Sequence, residues 1–157
     1  IEADGVRRTR PPKPALPEES RCPPEVSAEG CRALYVAAVL YGDGRSEEAL
    51  EELDEVRRVA PEWTRPLNLE ATIRLHAGED RAAIALYQRS LALDPSQEKL
   101  YILLWKLWQD EGDERAAREV IREAQAQGAG VGTVATLPCP RRAGRVLRCG
   151  DLRALPR

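Results

Sequence analysis

The sequence predicts an all-α chain in which one helix-turn-helix unit occurs three times, flanked by two non-helical segments. Three observations predict it. Gly44, Gly78 and Gly112 are spaced by 34 residues, as are Ala49, Ala83 and Ala117, and Pro61 and Pro95 share that spacing. Each interval holds two stretches with apolar residues at helical spacing, separated by glycine. Prolines crowd residues 11–24 and arginines crowd residues 141–157, outside the periodic part. A unit of this length cannot bury its apolar face alone, so neighbouring units are expected to share a core.

The elements follow in order. The first helix is expected from Ser27, with Ala33, Val36, Ala37, Leu40 and Tyr41 on one face and Gly42 and Gly44 at its end. Ser46 reads as the cap of the second, which turns Ala49, Leu50, Leu53, Val56 and Val59 inward before Pro61. Thr64 reads as the next cap, ahead of Pro66 in the first turn, and Gly78 closes that helix after Leu67, Ala71, Ile73 and Leu75. The fourth helix carries Ala82, Ala83, Leu86, Tyr87, Ser90 and Leu91. Ser96 reads as the cap of the fifth and most apolar helix, with Leu100, Tyr101, Leu104, Trp105, Leu107 and Trp108, closed by Gly112. Ala116, Ala117, Val120, Ile121 and Ala124 form the last stripe, and Gly128 follows it.

These positions resemble the tetratricopeptide repeat family over residues 30–128, with repeats at 30–63, 64–97 and 98–128. The resemblance rests on the small residues Ala37 and Ala71, on Ala49, Ala83 and Ala117, on Tyr87, and on Pro61 and Pro95. It implies antiparallel helix pairs stacked into a superhelix with a concave groove lined by the first helix of each pair. By the family's register that groove holds Leu34, Ala38 and Tyr41, then Arg65, Asn68 and Thr72, then Lys99, Ile102 and Lys106. Relatives that grip a C-terminal carboxylate use a Lys–Asn–Asn–Lys–Arg set, to which only Asn68 and Lys99 are comparable, so such a clamp is not implied. Trp105 stands where the first two repeats have Ala37 and Ala71, so the third repeat must pack differently. The helical pattern stops at Gly128, without a recognisable further capping helix.

The flanks differ from the repeats in kind. Residues 1–29 form a proline-rich arm that favours polyproline II over helix, and it is expected to dock in or beside a repeat groove, of its own or another subunit. Residues 129–157 form a basic tail. Its VGTVATL and RVLRC stretches read either as a short hairpin or as irregular chain. Residues 31–128 hold thirteen basic and nineteen acidic groups, whereas the tail holds six arginines against Asp151, which favours contact between tail and body.

Four cysteines, Cys22, Cys31, Cys139 and Cys149, allow three pairings. Local pairing, Cys22 with Cys31 and Cys139 with Cys149, closes the shortest loops. The alternative is four reduced cysteines. The spacings do not suit zinc, and no CxxC pair is present. The chain starts at Ile1 and contains no methionine, which together with the cysteines leads to the expectation of an exported, extracellular or periplasmic protein with its leader removed; trimming is the alternative. No apolar run of membrane-spanning length occurs.

Catalytic motifs are absent from the sequence. His76 is the single histidine, placed late in a helix where it suits the C-terminal dipole. No GxSxG, HExxH, GxGxxG or P-loop pattern is present. The acidic body is a poor nucleic-acid surface. The expectation is therefore a non-enzymatic, cofactor-free protein with protein partners. In one reading it is a structural subunit that assembles head to tail into a homo-oligomer or filament, through Tyr35 and Val39 at one repeat end and Trp105, Trp108, Val120 and Ile121 at the other. In the alternative it is an adaptor that binds a partner's peptide in its groove.

Overall fold

The computed structural model describes residues 22–128. The arm to residue 21 and the tail from residue 129 lie outside the described residues, and with them the docked arm, the hairpin and the Cys139–Cys149 pair. The described residues form six helices and no strand: α1 (Ala28–Gly42), α2 (Ser46–Val59), α3 (Thr64–His76), α4 (Asp80–Leu93), α5 (Glu98–Asp110) and α6 (Glu114–Ala126). They pack as consecutive pairs, in the all-α, tetratricopeptide-like pattern of helical repeats.

Helix ends follow local chemistry. Ser27 caps α1, its hydroxyl accepting from Gly30 N at 3.1 Å. The three later caps differ from the sequence reading. Ser46 and Thr64 are the first helical residues of α2 and α3, and Arg45 and Trp63 precede them without a side-chain cap bond. Ser96 bonds Asp94 Oδ1 at 2.6 Å, leaving Gln97 at the cap of α5. Asp113, given no role by the sequence reading, caps α6 by accepting from Ala116 N at 2.9 Å.

The glycine closures behave as the period predicts. Gly44, Gly78 and Gly112 adopt φ of 77°, 77° and 76°. In each turn the residue after glycine donates back to a carbonyl five residues earlier: Arg45 to Leu40, Glu79 to Arg74, Asp113 to Trp108, at 2.8–2.9 Å. This left-handed closure turns the chain into the second helix of the pair. A Cβ on Gly78 would meet nothing within 4 Å, so Gly78→Ala tests conformation alone. It is expected to lower stability by about 1–2 kcal/mol in a thermal or denaturant melt with helix content retained.

The chain divides into two compact units, one ending at Pro61 and one beginning at Glu62. In the first, α1 and α2 bury Val36, Ala37, Leu40, Ala49, Leu53 and Val56. Val59 is a correction: expected inward, it is 52% exposed at the end of α2. One of its methyls still covers Gly30, where an added Cβ would meet Val59 Cγ2 at 3.2 Å. In the second unit α3–α6 share one core, built on Ala71, Tyr87, Tyr101, Leu104, Trp105 and Ile121. The small side chains Ala83 and Ala117 are fully buried, so larger residues there would force the helices apart.

Candidate functional site

In the first unit, α1 places Leu34 in the core, Ala38 in solvent and Tyr41 half in each. Tyr35 and Val39 are half-buried. Cys22 and buried Cys31 are paired with their Cα atoms 6.1 Å apart, within the span of a disulfide. This staples the segment that enters α1 to the first turn of that helix. Intact mass with and without reduction is expected to show Cys22 and Cys31 blocked to alkylation until reductant is added; two reactive thiols would contradict the pairing.

The second unit brings the remaining groove residues onto α3 and α5. Lys99 and Lys106 are exposed and Ile102 is half-buried between them on α5. On α3, Arg65 is exposed, with its guanidinium 6.0 Å from the centre of the Trp63 ring, within cation–π range. Asn68 and Thr72 are half-buried and serve the fold as well. The Thr72 hydroxyl lies 2.8 Å from Asn68 O and 3.0 Å from Tyr87 Oη, which ties α3 to α4.

Gln97, which the sequence reading passed over, joins three helices. Its Nε2 donates to Ser90 O at 3.1 Å, Ser90 Oγ at 3.0 Å and Asp94 O at 3.1 Å. Its Oε1 accepts from Asn68 Nδ2 at 2.7 Å. Two carbonyls facing Nε2 fix the orientation of this amide, and that in turn fixes Asn68 with its N–H toward Gln97. The opposite end, Asn68 Oδ1, is buried and finds no partner among the described residues. The signal in the sequence was slight: Gln97 and Trp63 are 34 residues apart, each just ahead of the first helix of a repeat.

The proposed repeat-end residues divide differently from expectation. Trp105, Val120 and Ile121 lie in the α3–α6 core, at 7%, 5% and 3% exposure, and do not form an open end face. Trp105 fills core volume between α5 and its neighbours, the different packing that its size required. Trp108 packs half-buried against that core. The other side of α6 is charged: Arg118 pairs with Glu114 and Arg122 with Glu119. It has the polar outer face of a terminal repeat helix.

Tyr101 is buried, and its phenol is held above the usual tyrosine range, first by burial and then by the charges of Glu123 and Asp94. A neutral group with a raised folded pKa stabilises below its ordinary pKa, and this is lost as pH climbs through the folded value. Stability of this unit is therefore expected to fall above about pH 10, read by denaturant melts across the alkaline range. Tyr101→Phe removes an unpartnered hydroxyl and should flatten that fall. Among the described residues no group of His, Cys, Asp and Glu could hold a metal ion, and no helix is long and apolar enough to cross a membrane.

No family model matches the chain, and no curated protein matches it. Solved structures do. Two crystal structures of MamA align with TM-scores of 0.56 at 18% identity, covering 68% of this chain and 63% and 58% of theirs. The type III secretion translocator chaperone SycD of Yersinia enterocolitica aligns with a TM-score of 0.54 at 17% identity, covering 63% of this chain and 68% of its own. The chain thus spans less than two thirds of the length of the MamA chains it matches. At these identities the likeness is one of fold: paired helices in tetratricopeptide-like repeats.

Proposed function

We propose that this protein is a non-catalytic protein-interaction module of the tetratricopeptide repeat family. In this reading α3 and α5 take up an extended, acidic segment of a partner protein. The observation that carries it is the exposed pair Lys99 and Lys106 about half-buried Ile102 on α5, with Asn68 of α3 held by Gln97 at the start of that helix. Lys99 and Lys106 flank Ile102 on α5, so acidic side chains with an apolar residue between them suit that helix. The fold supports the reading, and one neighbour in fold, SycD, is named as a translocator chaperone. Export to an oxidising compartment belongs to the same proposal and draws support from the Cys22–Cys31 pair.

Head-to-tail self-assembly has weaker physical support. Its drive was apolar area at an open repeat end, and Trp105, Val120 and Ile121 are already buried while α6 turns ion pairs outward. The test titrates the full chain with a ten-residue peptide of glutamate, leucine and proline, read by calorimetry. Lys99→Glu with Lys106→Glu is expected to weaken binding at least tenfold, about 1.4 kcal/mol. Equal affinity for both proteins, or no binding to either, would overturn the acidic-segment reading. A particle mass that grows with concentration would instead restore self-assembly.

A further inference from the structure

Lys99 and Lys106 stand seven residues apart on α5, both exposed. Helix geometry puts their Cα atoms about 10.5 Å apart along the axis and only about 20° apart around it, so they share one line. Ile102 and Leu103 lie half-buried between them, and Leu103 packs against the core of the second unit. The backbone beneath that line is closed on itself by helical hydrogen bonds. A β-strand laid on α5 therefore finds no ladder to join. A polyproline II segment has no internal hydrogen bonds and keeps its backbone in water, so it needs no ladder. Its side chains return to one edge every three residues, about 9.3 Å on. In a strand, residues on one face lie about 6.8 Å apart at i and i+2 and about 13.6 Å apart at i and i+4. The first spacing meets the lysine separation to within about 1 Å, and the others miss it by about 3–4 Å. Lysine arms reach across the larger gap only by giving up rotamer freedom.

We propose that α5 reads a polyproline II segment of the partner whose two carboxylates stand three residues apart, with proline and an aliphatic residue between them. The inference rests on the acidic-segment reading and carries it from charge to spacing and backbone form. Charge complementarity selects the occupant: one carboxylate meets Lys99 and the other Lys106. The two intervening residues stand to either side of that edge, and one of them closes over Ile102. Proline there fixes φ before binding, so less backbone freedom is lost on docking. Carboxylates two or four residues apart satisfy one lysine and leave the other stretched or unpaired.

The experiment is calorimetry on the full chain at low salt with three short peptides of one composition: glutamate, leucine, proline and alanine, blocked at both ends. Their two glutamates stand two, three or four residues apart. The three-residue spacing is expected to bind about fivefold more tightly than either of the others, the discrimination one exposed ion pair supplies. Lys106→Glu should weaken that peptide by a similar factor. Lysine in place of one of its two glutamates should then restore the affinity, at one of the two positions only, which gives the direction of the segment. Equal affinity for the three spacings, or preference for another spacing, would overturn this proposal and leave the acidic-segment reading standing. Restoration at neither position would overturn the pairing of one carboxylate with Lys106. Binding by none of the peptides would overturn both readings.

Discussion

Trp105→Ala is expected to lower the unfolding free energy of the α3–α6 unit by about 3–5 kcal/mol, the cost of emptying an aromatic core site. The internal repeat points the opposite way, because alanine stands at the equivalent Ala37 and Ala71. The structure decides between them. Trp105 is 7% exposed and packed in one core with Tyr101, Leu104 and Ile121, so alanine there leaves a void. Trp105→Phe should cost much less, because the indole N–H it removes is buried without a partner and contributes only its desolvation cost. Denaturant melts of the three proteins measure this, and a stabilised alanine variant would contradict the packing described.

Gln97→Ala carries the second large effect, an expected loss of about 2–3 kcal/mol. Four hydrogen bonds disappear together, and Ser90, which is fully buried, loses a donor for both its carbonyl and its hydroxyl. At roughly 0.5–1.5 kcal/mol per bond the sum exceeds a surface substitution, even after neighbouring groups relax. Gln97→Glu should be at least as damaging near pH 7. It turns a carboxylate toward the carbonyls of Ser90 and Asp94, where the amide N–H had been. Protonating that carboxylate at low pH should recover part of the loss, a dependence that Gln97→Ala lacks.

The helical architecture was legible because its determinants are local and periodic. Gly44, Gly78 and Gly112 must reach positive φ, and Ala83 and Ala117 must let helices approach; both demands recur at a fixed spacing. Caps were read less well. Serine and threonine at 46, 64 and 96 are good cap residues, yet the backbone enters each helix one residue away from where side-chain preference alone places it. Gln97 was invisible to periodicity, since its bonds reach 29 and 7 residues back and a flexible amide gives no pattern. Trp105 was noticed as an anomaly, but its size alone did not say whether it would pack inward or stand at an open end. Burial of that ring removes much of the support for end-to-end assembly.

The central claim is that α3 and α5 form a partner-binding surface around Asn68. Two-dimensional NMR of the full chain, with and without the acidic, proline-containing peptide at saturation, tests it most directly. The account predicts that the side-chain amide of Asn68 and the methyls of Ile102 shift most, while those of Val120 and Ile121 stay within the core and move little. Saturable binding that leaves Asn68 and Ile102 unmoved would contradict it.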